Sequence, residues 1–229
     1  MQNFGPDCKS ELSIKQNVSD SFVALDVETA NPTISSICQI ATVTFVDGEI
    51  VDVWHTLVDP GEPFASWNVK LHGINAVTVN NAPDFASVML RLSATVSGKV
   101  VASHTAFDRV SLHHACLKSQ IPNLSCSWID TARVARRAWP RFRKRGYGLK
   151  SVAEWHGISF RHHDAIEDAR VAGLILSQAV LETGMSLEQW LAELSPIDRK
   201  RQPKTQPQSR FRHRFASSLA RIRSDSGDN

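Results

Sequence analysis

Two acids, Asp26 and Glu28, stand two residues apart at the end of the apolar run Phe22-Val23-Ala24-Leu25. In a strand this spacing points both carboxylates to one face. Paired like charges are costly unless something neutralises them, and hard divalent cations do so through oxygen ligands. Surface strands also carry Asp-x-Glu pairs, so the pair needs company. The segment His104-Thr105-Ala106-Phe107-Asp108 follows a second apolar run, Val100–Ser103. Asp108 falls in the first turn of the helix that follows, near the carboxyl end of that strand. Ligand sites gather there in open α/β sheets, although an acid there also simply answers the helix dipole. The third segment is His162-His163-Asp164-Ala165-Ile166-Glu167-Asp168-Ala169. Asp164 and Glu167 have the spacing of a capping box and read as structural. Asp168, one turn in, has no capping role and is free for a cation; His163, just before the helix, is a candidate proton acceptor.

The elements that must position these residues follow from periodicity. Phe22–Val27, Ile37–Val46 and Ile50–Val58 read as strands of an antiparallel meander, the last two joined by Asp47-Gly48, a strong hairpin signal. Asp84–Val96 has helical spacing, Val100–Ser103 reads as a strand, Phe107–Leu117 as an amphipathic helix and Cys126–Ile129 as a strand. Thr131–Ala138, Leu149–Trp155 and Ala165–Glu182 read as helices, and Ser186 caps a last one to Leu194. A hairpin followed by strand–helix alternation predicts an α/β domain with a mixed sheet flanked by helices.

With the three segments in order, the sequence resembles the DEDD superfamily of 3′–5′ exonucleases, in its histidine-bearing branch, to which proofreading subunits of bacterial replicative polymerases belong. Leu25-Asp26-Val27-Glu28-Thr29 matches the first motif, the segment ending Phe107-Asp108 the second, and His163 through Asp168 the third. Leu71-His72-Gly73-Ile74-Asn75, with Ala82-Pro83 behind it, and Tyr147 through Ala153 match as linking stretches, so the resemblance covers about residues 22–182. It implies a ribonuclease H-like fold, with Asp26, Glu28, Asp108 and Asp168 around two divalent cations, Mg²⁺ or Mn²⁺. His163 is then the general base, and the product a nucleoside 5′-monophosphate released from a 3′ end. It further implies that Thr29 seats the terminal 3′-hydroxyl, that Phe107 packs near the end nucleotide and that His72 lies close by; a structural histidine is the competing reading of His72. One departure is Thr105, where relatives frequently carry Asn. The leading expectation is a proofreading- or repair-type exonuclease on single-stranded DNA. The alternatives are a 3′–5′ exoribonuclease, distinguished by contacts to the 2′-hydroxyl, and a non-catalytic nucleic-acid- or replisome-binding module.

Charge points to the same partner. The 229 residues carry a formal +3, yet nine basic residues against three acids give residues 196–229 a charge of +6 and leave −3 on residues 1–195. A basic tail on an acidic body suits a polyanion, or a polymerase or replisome component; a solvated tail is the plainer reading. Phe211, Phe215, Leu219 and Ile222 have helical spacing within it. A second basic stretch, Arg133–Lys150, has eight basic residues and no acid, with Trp139, Phe142 and Tyr147 interleaved. It reads as a substrate-binding loop in which Arg141, Arg143 and Arg145 meet phosphates while the aromatics stack on bases; a solvated helix face and loop is the competing reading. Residues 1–20 read as a loose arm without the apolar core of a secretory signal, 21–195 as the exonuclease domain and 196–229 as a flexible tail. No run reaches the roughly 18 apolar residues of a membrane span. Four scattered cysteines without a Cys-x-x-Cys pair argue against a zinc site and for a reduced, cytoplasmic protein.

Overall fold

A computed structural model describes residues 21–195, so the predicted arm and tail lie outside the described residues. Five strands form one sheet in the order β3-β2-β1-β4-β5. β1 (Ser21–Thr29) sits at its centre, antiparallel to β2 (Ile37–Val46) and parallel to β4 (Val100–Ser103). β3 (Glu49–Leu57) closes the meander on β2, and β5 (Ser127–Asp130) runs parallel to β4. The hairpin turn has φ of 52° at Asp47 and 86° at Gly48. Two successive positive φ values are what a two-residue turn needs to match the strands' twist, and Asp-Gly tolerates them.

Period-two alternation divides the core. Phe22 and Ala24 face one apolar layer, built with Val43, Phe45 and the later helices. Val23, Leu25 and Val27 face the other, beneath α2 (Phe85–Val96) and α3 (Phe107–Lys118). The first layer is covered by α4 (Thr131–Ala138), α5 (Leu149–Trp155), α6 (Ala165–Thr183) and α7 (Leu187–Leu194). α6 approaches β2 closely at Gly173, where a Cβ would lie 2.1 Å from the Phe45 ring. That ring stacks on Phe22 with centroids 4.9 Å apart, so the helix, the strand and the aromatic pair fix one another. Ser186 caps α7 through a reciprocal bond with Gln189.

Two elements escape the sequence reading. α1 (Ser66–His72) buries none of its residues and has no side-chain N-cap, so it shows neither stripe nor start signal. A 3₁₀ turn, Pro140–Phe142, interrupts the basic stretch. Cys38, Cys116 and Cys126 are free thiols. Among the described residues, no helix is long and apolar enough to cross a membrane.

Candidate active site

Past Leu25 the character of β1 changes, while Glu28 and Thr29 stay buried and Asp26 is half-buried. Asp26 and Glu28 continue the face begun by Phe22 and Ala24, which turns them toward α6, whose first turn carries a buried Asp168. The β1–β2 register slips between Glu28 and Thr29, and such bulges bend a strand and re-aim side chains. Asp26, Glu28 and Asp168 thereby bring one carboxylate oxygen each within 4.8 Å of the others. Asp108 enters from α3 on the far side of the strand. Its Oδ1 accepts the Val27 backbone N–H at 3.0 Å, which fixes the carboxylate against β1. All four line one cavity of about 530 Å³, together with Thr29, Phe107 and His163.

The charges in this cavity are poorly tolerated as they stand. Burial, then repulsion from Asp108, Asp168 and Glu28, pushes the Asp26 carboxyl well up. Burial and neighbouring acids raise Glu28 to about 8, and burial raises Asp108 to about 7 against the Val27 hydrogen bond. Asp168 is raised by burial, and His162 partly offsets this. A cluster of oxygen donors that resists ionisation alone is what hard divalent cations stabilise, so the donor set fits them.

The third motif differs in detail from its sequence reading. Asp164 caps α6 by accepting the Ile166 N–H at 3.1 Å. Glu167 does not close a box; it pairs with Arg170 at 2.7 Å instead, because a guanidinium one turn on is a stronger partner than a backbone amide. Asp164 takes an ion pair from Arg161. His163 adopts φ +67°, and its backbone N–H donates to Asp168 Oδ2 at 3.1 Å. Burial and the neighbouring His162 and His72 hold its pKa below the ordinary histidine value. Sequence reasoning passed over His162, whose Nδ1 lies 2.9 Å from the same oxygen; the doubled histidine was the available signal.

At the second motif, Thr105 has φ +80°. Asn enters the left-handed region far more readily than a β-branched residue, so Thr105 holds this conformation under strain. Its N–H donates to Asp130 Oδ1 at 3.2 Å, and its hydroxyl accepts the Phe107 N–H at 3.3 Å. His104 is held neutral by burial, its pKa lowered to about 4. Its Nε2–H donates to the Tyr147 carbonyl and its Nδ1 accepts from Thr131, both at 2.9 Å.

His72 does not line the cavity. Its Nε2–H donates to the Thr29 carbonyl at 3.1 Å and its Nδ1 accepts the Ile74 N–H at 3.0 Å, so both ring nitrogens are occupied. Asn68 donates to the same carbonyl at 2.9 Å. Through these bonds α1 grips Thr29 and sets two apolar residues, Trp67 and Leu71, on the cavity rim. Trp67 is 70% exposed there.

The basic stretch is folded, and here the expectation fails in part. Trp139 and Phe142 are 5% and 1% exposed, so neither presents a face to a base. Apolar burial outbids base stacking: Trp139 packs edge-on to Phe142 and His156 and donates to Glu182 at 2.6 Å. Arg133 donates to the Leu194 carbonyl, Arg137 pairs with Glu193 at 3.3 Å, and Arg136 lies over the Tyr147 ring. Arg141, Arg143 and Arg145 are exposed and lie outside the cavity lining.

Such a fold and site define a class, nucleases with clustered carboxylates on a ribonuclease H-like sheet. The chain belongs to the exonuclease family, whose model matches residues 23–176; its members are hydrolytic 3′–5′ exonucleases that use divalent cations. Among curated relatives, the PolC-type DNA polymerase III of Thermotoga petrophila is 30% identical over 164 residues, 70% of this chain but 12% of that protein. The chain thus spans about an eighth of that relative. Among solved structures, exonuclease X in complex with 5′ overhanging duplex DNA has a TM-score of 0.63 at 22% identity, covering 75% of this chain and 98% of that one. The nuclease domain of 3′hExo bound to rAMP has a TM-score of 0.59 at 18% identity, covering 73% and 94%.

Proposed function

We propose that this chain removes nucleoside 5′-monophosphates stepwise from the 3′ ends of single-stranded DNA. The observation that carries the reading is the triad Asp26, Glu28 and Asp168, converging within 4.8 Å in a cavity that raises every carboxylate's pKa. These three and Asp108 would hold two cations, Mg²⁺ or Mn²⁺. When bound, such a pair lowers the pKa of the attacking water and stabilises both the entering and leaving oxygens of an in-line displacement.

The chain's own residues do the rest. His163, whose pKa burial and neighbouring histidines hold below the ordinary value so that the neutral imidazole is favoured, takes the proton from the attacking water. The Val27 N–H holds Asp108 in one orientation while substrate enters. Thr29, gripped through its carbonyl by Asn68 and His72, offers its hydroxyl side of the cavity to the terminal 3′-hydroxyl. Phe107, 45% exposed on the rim, packs against the end nucleotide. Arg141, Arg143 and Arg145 serve the strand outside the cavity, where exposed guanidinium groups attract phosphate. Service beside a polymerase is supported by the PolC relative, and free thiols suit the cytoplasm.

DNA is favoured by likeness to a PolC-type DNA polymerase III and to exonuclease X in its complex with DNA. The rAMP complex of 3′hExo favours a second reading, an exoribonuclease on the same ligands. Matched 5′-labelled DNA and RNA oligonucleotides decide between them. A ladder shortening from the 3′ end of DNA, dependent on Mg²⁺ or Mn²⁺ and lost in Asp26→Asn and His163→Ala, is expected. Cleavage surviving Asp26→Asn removes the metal assignment, and a ladder confined to RNA selects the second reading.

A further inference from the structure

Adjacent side chains in an extended chain point to opposite sides and share no ligand. His162 and His163 break that rule. The left-handed φ of +67° at His163 folds its ring onto that of His162, with centroids 3.9 Å apart and planes within 18°. Asp168 faces the pair from the first turn of α6, its Oδ2 2.9 Å from His162 Nδ1. One donor atom from each of the three lies within 4.8 Å of the others. Tetrahedral Zn²⁺ holds nitrogen and oxygen ligands at about 2.0–2.2 Å, which sets neighbouring donors roughly 3.4 Å apart. Because an imidazole nitrogen binds an ion in the plane of its ring, sharing one requires the two rings to turn out of their stack as the donors close from within 4.8 Å to that spacing.

Donor chemistry separates this triad from the carboxylate one. Two imidazoles and one carboxylate suit Zn²⁺ and similar borderline ions, whereas Mg²⁺ prefers oxygen and keeps its waters. Asp168 belongs to both triads. An ion held by the histidines therefore engages a carboxylate that hydrolysis needs, and the imidazole assigned as its base.

We propose that His162, His163 and Asp168 form an inhibitory Zn²⁺ site that silences the neighbouring hydrolytic site when filled. The metal-binding half stands on the cluster alone; the inhibitory half rests on the roles given to His163 and Asp168 above. Co²⁺ serves as a visible probe, added to the full chain with Mg²⁺ in large excess. One equivalent is expected to develop d–d bands of an imidazole-bound ion, and Zn²⁺ to erase them. In His162→Ala and His162→Gln the bands are expected to vanish. The Zn²⁺ concentration that halves each variant's own Mg²⁺-supported cleavage should rise at least about tenfold. Gln retains an amide that can donate to Asp168, and a thermal melt verifies that each variant is folded. Absence of bands in the unsubstituted protein overturns the proposal. So do bands and inhibition that survive both substitutions, which put Zn²⁺ on Asp26 and Glu28. Bands lost with inhibition retained overturn the inhibitory half. Bands in a protein that cleaves no nucleic acid support the metal site while overturning the exonuclease reading.

Discussion

From Phe22 to Leu25, β1 is apolar on both faces and fills the two core layers; from Asp26 to Thr29 the same strand, flanked by the same helices, carries two carboxylates. Glu28 and Thr29 lie about as deep as the apolar half and Asp26 somewhat less so, yet the two halves work in opposite senses. The first half stabilises the fold, since each large apolar side chain fully buried contributes about 1.5–3 kcal/mol. The second half opposes it, because burial raises the pKa of each acid and so penalises the charged form. The contrast teaches that the strand's rigidity is supplied at one end and used at the other.

Substitution at the charged end sharpens the contrast most. Asp26→Asn is expected to lower single-turnover cleavage about a thousandfold or more, roughly 4 kcal/mol in barrier. In EDTA the same variant should melt higher than the unsubstituted protein, because one buried charge is gone. An unchanged rate, or a lower melting point in EDTA, breaks the comparison. At the apolar end the signs reverse. Phe45→Ala should cost about 3–5 kcal/mol in urea unfolding, and Gly173→Ala about 1–3 kcal/mol through its collision with the same ring. Both should retain the cation dependence of any remaining activity.

Acidity tests the charged end without mutation. An acid whose folded pKa is raised contributes stability below its unfolded pKa and loses it as pH climbs through the folded value. Glu28 moves from 4.5 to about 8 and Asp108 from 3.8 to about 7. The melting temperature in EDTA should therefore fall between about pH 4 and 8. Added Mg²⁺ or Mn²⁺ should recover more of it at pH 8 than at pH 5. A cation effect that does not grow with pH counts against those acids as ligands. The smallest effect is expected at Thr105, where Asn relieves a left-handed β-branched residue. Thr105→Asn should stabilise by about 0.5–1 kcal/mol in the same urea measurement, and destabilisation would mean that the Thr hydroxyl on Phe107 matters more than the strain.

Most strands and helices were legible because period and punctuation agreed: the meander, its Asp-Gly turn, and the capped starts of α2, α6 and α7 all carry local signals. The three motif segments were legible because each joins a strand end or helix start to an acid. What escaped depends on distant partners. α1 is held by bonds from Asn68 and His72 to a carbonyl about forty residues away, which no local pattern announces. Trp139 and Phe142 sit among arginines in the chain but among apolar residues in space, so charge density misread their direction. His162 stood beside a better-matched histidine, and only the backbone reversal at His163 brings the two together.

α1 has a consequence of its own. With none of its residues buried, swinging it off Thr29 uncovers little apolar surface and exchanges a few hydrogen bonds for water, whereas opening β1 would expose both core layers. Its amides should trade hydrogen for deuterium long before those of the strand it grips. The floor of the cavity is thus tied to global unfolding and one wall to a local event. Under the proposed function, that wall is the side on which a nucleotide product would leave without loosening the core.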